Sequence, residues 1–259
     1  MTANTGGRAH SARIEHACRV RFDEAGPDGR LRSSGYLRYA QDLAWLHSEG
    51  AGFGREWYQE RGLTWLVRAV ELDIVADTYF GSELMVSTEV IGFRRVWARR
   101  RSEFHLSGSE RPVAVAITDW VLLNARGAPT SVPAELTDVF VVPGTEFTRL
   151  RLAIPPTPAS AVSLPLTVRR SNLDPMAHVN NAAYIDYLDE HFLRGSDPRA
   201  SLPVPRRYRA EFIASAEPDA GLIGHGWESD GAWCYRLEDD GGQEMLRARL
   251  ETDPATWMG

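Results

Sequence analysis

Two stretches of the chain carry apolar residues at helical spacing, and each is followed by runs in which apolar and polar positions alternate. In the first stretch Leu37, Ala40, Leu43 and Ala44 fall on one face, which predicts a helix from a Ser33 or Ser34 cap to about His47. Gly50, Gly52 and Gly54 punctuate its exit. Residues 15–22 read as a preceding strand, and 64–76, 83–93, 94–106 and 112–124 as following strands rich in Val, Ile, Trp and Phe. The order then repeats, with a strand at 164–170, a helix from about Asn181 to Leu193, and strands near 205–216, 221–229, 231–238 and 243–251. Between the two lies Pro-rich sequence, with Pro129, Pro133, Pro143, Pro155, Pro156 and Pro158. These patterns predict an α+β protein: a flexible tail over 1–12, an N-terminal repeat over 13–125, a linker over 126–163 and a C-terminal repeat over 164–259.

The repetition extends to individual residues. Val20-Arg21 answers to Val168-Arg169, Leu31 to Val179, Tyr36 to Tyr184, Leu37 to Ile185 and Tyr39 to Tyr187, all at one offset, 184 − 36 = 148. A second block, Glu71-Leu72 with Ala76, Asp77 and Gly81, answers to Glu211-Phe212 with Ala216, Glu217 and Gly221 at 211 − 71 = 140. Two copies at so long a period do not make a solenoid; they imply two similar units packed together.

Chemistry concentrates where the second strand meets the second helix, in VRRSNLDPMAHVNNAAYIDYLDE over 168–190. Asp174, His178, Asn180 and Asn181 bring a carboxylate, an imidazole and two amides to a helix N-terminus. Such an end has free N–H groups and partial positive charge, suited to a carbonyl oxygen that becomes an oxyanion in acyl transfer. Each residue also has an ordinary use. Asp174 can end the strand or cap the helix, His178 can pack, and Asn180 and Asn181 can cap. Glu211 can pair with Arg209. Tyr184 and Tyr187 recur at helical spacing in both copies and read as core. In the first copy Arg30 falls where His178 does and Asp28 where Met176 does, so one active site per chain is expected.

Charge and composition narrow the partners. The formal charge of −6 argues against general nucleic-acid binding, and no apolar run approaches the roughly 20 residues that span a bilayer. The first residues, MTANTGGRAHSAR, lack the apolar core of a secretory signal, and a cytoplasmic protein is expected. Cys18 and Cys234 are too few and isolated for a disulfide framework or zinc site and read as reduced thiols. His178 has no second His or Cys at ligand spacing, so no metal or cofactor is indicated. Every basic side chain is arginine. Arg94, Arg95, Arg99, Arg100 and Arg101 in one run, and Arg206, Arg207 and Arg209 in another, read as a solvated strand face or as a landing site for an acidic partner or phosphate.

One helix cradled by a curved antiparallel sheet is the hotdog arrangement, and the residues resemble those of the acyl-acyl carrier protein thioesterases of plants and bacteria, which carry two hotdog repeats in one polypeptide. The resemblance covers roughly residues 14–250. In the second half it rests on LDPMAHVNNAAYIDYLDE; in the first, on Leu37 through Ala44 with His47 and Gly50, on Leu63 through Arg68, and on Val132 through Leu136. It implies a tandem hotdog that hydrolyses fatty acyl thioesters of acyl carrier protein or coenzyme A. It implies catalytic roles for Asp174, His178 and Glu211; the duplication, which builds the paired unit within one chain, predicts a monomer or homodimer. Amides near Asn180, Asn181 and Ala182 would hold the carbonyl oxygen. The first copy would supply the acyl pocket, with Trp45, Trp65 and Leu66 as lining residues. Two positions depart from the family: Met176 stands where it has an Asn, and Phe212 where plant members commonly have a Cys, which excludes a thiol nucleophile there. Two alternatives remain at this point: a non-catalytic acyl- or carrier-protein-binding hotdog, and a hotdog hydratase or dehydratase, whose Asp, Asn-Pro and His pattern is matched only faintly by Asp174-Pro175 and His178.

Overall fold

The computed structural model describes residues 13–140, 147–197 and 199–256; the expected tail over 1–12 lies outside them. The first half runs β1 (Arg13–Arg19), α1 (Ser33–Gly50), α2 (Arg55–Arg61), β2 (Thr64–Ile74), β3 (Glu83–Arg94), β4 (Trp97–Leu106) and β5 (Ala114–Leu123). A short α3 (Ala134–Val139) lies in the connecting stretch. The second half follows with β6 (Val162–Thr167), α4 (Asn181–Phe192), β7 (Arg206–Phe212), β8 (Gly221–Ser229), β9 (Ala232–Asp239) and β10 (Glu244–Glu251). All ten strands form one antiparallel sheet in the order β1-β3-β4-β5-β2-β7-β10-β9-β8-β6. Each half therefore wraps five strands around one long helix, the tandem hotdog expected from the pattern.

The helices are held by the stripe that predicts them. Tyr36, Leu37, Ala40 and Leu43 of α1 and Ala182, Ala183, Tyr184, Ile185 and Leu188 of α4 are buried against the inner face of the sheet, in one continuous core. Within the sheet a Cβ on Gly226 in β8 would lie 2.2 Å from the ring of Trp233 in the neighbouring β9, so only glycine fits there.

The halves meet where β2 pairs with β7, from Ala69 opposite Glu211 to Ile74 opposite Arg206. Val70 opposes Ala210, and 210 − 70 = 140, the offset of the second repeated block, so the pseudo-twofold axis passes between them. The helices obey the same symmetry. Arg38 of α1 donates to Asp186 of α4 at 3.0 Å, and 186 − 38 = 148. Equivalent residues of the two copies thus meet, as they do in an isologous dimer.

Three expectations change in the structure. Ser33 and Ser34 lie inside the first turn of α1 rather than capping it; Arg32 is the cap residue, and the Ser33 hydroxyl is drawn instead to Tyr208 at 2.7 Å. The first arginine run is not one solvated face. Arg99 pairs with Asp119 at 2.6 Å and Arg101 with Glu103 at 2.7 Å on the outer face, whereas Arg100 points into the core, 9% exposed. In the second run Arg206 is buried, Arg207 grips Asp73 with two bonds and Arg209 pairs with Glu251 at 2.6 Å. Trp45 turns outward, 42% exposed, and is neither core nor pocket wall.

Candidate active site

The loop from Val168 to Asn180 is a tight, internally bonded hairpin. Leu173 bridges Val179, the Asp174 N–H donates to the His178 carbonyl at 2.8 Å, and the Ala177 N–H donates to the Asp174 carbonyl at 3.0 Å. The first copy builds the same loop from residues 148 positions earlier: Ala25 bridges Leu31, Gly26 N–H donates to Arg30 at 2.8 Å, and Gly29 N–H donates to Gly26 at 3.0 Å. Both need a left-handed residue at the turn. Gly29 supplies it at φ +79°, whereas the second copy holds Ala177 at φ +61°, a conformation that costs a residue with a Cβ on the order of 1 kcal/mol.

What differs between the loops is their side chains. Asp174, standing where the first loop has Gly26, accepts backbone N–H groups of Met176 at 2.8 Å and His178 at 3.2 Å, both on Oδ1. Among the described residues Oδ2 has no hydrogen bond, so half of the carboxylate remains for chemistry. His178 is exposed beside it, as is Met176. The first-copy equivalent of His178, Arg30, is tied instead to Asp77 at 3.2 Å.

Among the described residues, the helix end after the loop has one backbone N–H without an acceptor. Asn180 caps α4, its Oδ1 accepting from Ala182 N–H at 2.9 Å, while its Nδ2 donates to Gln41 Oε1 of α1 at 3.3 Å. Asn180 N–H goes to the Asn172 carbonyl and Ala183 N–H to the Asn180 carbonyl, both at 2.8 Å. Among the described residues this leaves the N–H of Asn181 without an acceptor. A cavity of about 20 Å³, room for one water, opens there between α1, α4, β2 and β5, lined by Asn181, Ala182, Gln41, Val70, Thr118 and Phe212 among others.

The structure thus gathers Asp174, His178, Asn180, Asn181 and Ala182 at one helix end, and Asn181 and Ala182 face the cavity. Glu211 lies elsewhere. In β7 the residues Tyr208, Ala210 and Phe212 face the helices, so Glu211 takes the outer face with Arg207 and Arg209. There it accepts the Leu152 N–H at 3.4 Å, and its charge supports the half-buried Arg68 guanidinium. Trp65 donates to Tyr58 at 3.1 Å in a second cluster around Phe53 and Phe140, and Leu66 is half-buried; neither lines the cavity. Gln41 was not singled out by its motif, although a polar residue within the apolar stripe of α1 was its visible mark.

The pseudo-symmetric counterpart of this cavity is filled. Ser33 corresponds to Asn181 and Asp189 to Gln41, and between them sits Tyr208, whose hydroxyl donates to Asp189 at 2.7 Å and meets Ser33 at 2.7 Å. Arg206 reaches Ser33 at 3.3 Å. One copy is open and the other is plugged. Burial pushes the Asp189 carboxyl up to about 7, against the Tyr208 hydrogen bond and the Arg206 charge. Folded chains therefore hold a proton that unfolded chains, titrating near 3.9, have lost, and stability falls as pH rises from about 4 to about 7. Urea denaturation should show wild type losing roughly 2–3 kcal/mol relative to Asp189→Asn between pH 5 and pH 8. An equal pH dependence in both proteins would remove Asp189 as the titrating group.

Comparison with known proteins agrees with this architecture. The family model for the acyl-ACP thioesterase N-terminal domain matches residues 12–140. The chloroplastic acyl-(acyl-carrier-protein) hydrolase FATB2 of Cuphea viscosissima is 26% identical over 91% of this chain. The chloroplastic palmitoyl-acyl carrier protein thioesterase of Arabidopsis thaliana is 27% identical over 92%. The chain spans 61% and 64% of the length of those two proteins. The crystal structure of an acyl-ACP thioesterase from Bacteroides thetaiotaomicron superposes with a TM-score of 0.76 at 16% identity, over 95% of this chain and 99% of that one, and shows the same fold. With the family model on the first half and relatives aligned across both, this chain belongs to the acyl-ACP thioesterase family.

Proposed function

We propose that this protein hydrolyses fatty acyl thioesters, of acyl carrier protein or coenzyme A, to free acid and thiol. One observation carries the reading. The copy that keeps Asp174 and His178 also keeps an open cavity with a spare N–H at its helix end, while the copy that lost them is plugged by Tyr208.

A thioester carbonyl seated at Asn181 would have its oxygen held by that N–H and by the positive end of α4, an interaction that strengthens as the oxygen becomes an oxyanion. Asp174 Oδ2 takes a proton from water as the water oxygen bonds to the carbonyl carbon, the resulting oxyanion collapses with breaking of the C–S bond, and the proton passes from Asp174 through His178 to the departing thiolate. No covalent intermediate is needed, in keeping with Phe212 at the position of the family's Cys. Glu211, on the outer face, supports the sheet and the connector instead. A cavity of about 20 Å³ accepts the water but not an acyl chain, so side chains such as Phe212 and Trp120 must shift on binding.

The same reading takes residues 13–125 and 164–259 as the repeats and 126–163 as their connector, with a monomer sufficient because the sheet joins both copies in one chain. No helix among the described residues is long and apolar enough to cross a membrane. The two free thiols, Cys18 and Cys234, suit a cytoplasmic setting. The test is thiol release by the purified chain from acyl-CoA and acyl-carrier-protein substrates of graded length. Turnover is expected; acyl groups bound without release would make this a binding protein.

A further inference from the structure

The inner wall of the first copy, next to the cavity, contains a cation where a pocket for a plain hydrocarbon chain would have none. In β4 the side chains of Ala98, Arg100, Ser102 and Phe104 face the helices. Arg100 stands in register with Thr118 of β5, and Thr118 with Val70 of β2; those two partners line the cavity. Arg100, Thr118 and Val70 thus form one row across the sheet, leading from the cavity to the guanidinium. The next row is polar too, with the Ser102 hydroxyl donating to Thr88 at 3.1 Å.

Nothing described neutralises this charge. Arg100 is 9% exposed, and among the described residues no carboxylate lies within ion-pair distance of it. Its Nη1 donates to His47 Nδ1 of α1 at 3.1 Å, and the Phe140 ring centroid is 5.8 Å from its Cζ. Because a guanidinium only donates, His47 accepts at Nδ1 and carries no charge of its own that could compensate. Among the described residues the remaining donors, Nε and Nη2, have no acceptor. Burial lowers the affinity of Arg100 for its proton to about 10, which leaves it charged at neutral pH. The C-terminal dipole of α1 near His47 offsets part of the cost, but a buried charge needs a paired anion with good geometry to be well satisfied.

We propose that the cavity takes an acyl group whose far end carries a carboxylate, and that Arg100 binds that carboxylate. The proposal rests on the thioesterase reading and names its substrate class: the thioester lies at Asn181, and the chain runs past Val70 and Thr118 to the guanidinium, whose free edge suits a carboxylate. Arg100 is then the specificity-determining residue, acting at the end of the chain remote from the bond that breaks.

The test pairs coenzyme A thioesters of equal length that end in a methyl or a carboxylate, across a short series, with wild type, Arg100→Met and Arg100→Lys. Free monocarboxylic and dicarboxylic acids of the same lengths are titrated calorimetrically in parallel. Wild type is expected to favour the carboxylate-ended thioester at one length by at least about 10-fold in kcat/KM. Arg100→Met should abolish that preference while keeping the methyl-ended substrate, and Arg100→Lys should keep part of it. A wild-type preference for methyl ends, or equal losses on both series in Arg100→Met, overturns the proposal. The wild-type comparison decides even if Arg100→Met does not fold. If no thioester is cleaved, the acids still separate the two claims: dicarboxylates bound better than monocarboxylates, with Arg100 needed, keep the anion site without the hydrolase. Monocarboxylates bound equally or better refute the site.

Discussion

Replacing Asp174 by Asn is expected to lower kcat for thioester hydrolysis by roughly 10²- to 10⁴-fold with little change in stability. The carboxylate has two separable uses. Its Oδ1 accepts the Met176 and His178 N–H groups and so shapes the loop, a use that an Asn Oδ1 retains. In the proposed scheme its other oxygen takes the proton of water, a use that an amide loses. Asp174→Ala should therefore do more than Asp174→Asn: it removes the base and also releases a loop that holds Ala177 at φ +61°. His178→Ala should cost less than either, because a thiolate leaves with little help. Glu211→Gln is the internal control. On the outer face, bonded to the Leu152 N–H, Glu211 should tolerate the change within a few-fold. If Glu211→Gln matches the loss in Asp174→Asn, the proton is taken elsewhere and the scheme fails.

That Glu211 faces away from the helices could have been seen in the sequence. In Arg207-Tyr208-Arg209-Ala210-Glu211-Phe212 the polar and apolar residues alternate strictly, which sets Glu211 on the face opposite Phe212. The long helices, all ten described strands and the duplication were equally legible, because each depends on periodicity or residue identity. Arg100 was hidden by its neighbours: three successive arginines mask the alternation, and only the packing of His47 and Phe140 shows which one turns inward. The helix α2 escaped because REWYQER between Gly54 and Gly62 has too few apolar positions to display a stripe. Which loop amide remains free, and which copy is plugged, depends on contacts between residues about 140 to 175 positions apart, such as Gln41 with Asn180 and Ser33 with Tyr208. Periodicity does not reach that far.

Leu72→Ala should remove about 2–5 kcal/mol of stability, the usual range for emptying a fully buried leucine site. Leu72 is 0% exposed in β2 and lies between Ala116 of β5 and Tyr208 of β7, so its cavity opens at the seam of the two halves. If the halves were independent modules, the loss would stay with the first. The shared sheet and continuous core argue otherwise: β2 and β7 pair from Ala69 to Ile74, and one cluster of buried residues runs through both copies. Native-state hydrogen exchange separates these outcomes. Protection in β4 and in β9, each two strands from the seam, should fall by the same amount if unfolding is one event. A loss confined to β3, β4 and β5 would show two cooperative units. The distinction bears on catalysis, because Val70 and Thr118 of one half and Asn181 and Phe212 of the other line the same cavity. A chain whose halves open separately would lose that cavity at a fraction of the global unfolding energy, whereas a single unit keeps it intact until the whole sheet gives way.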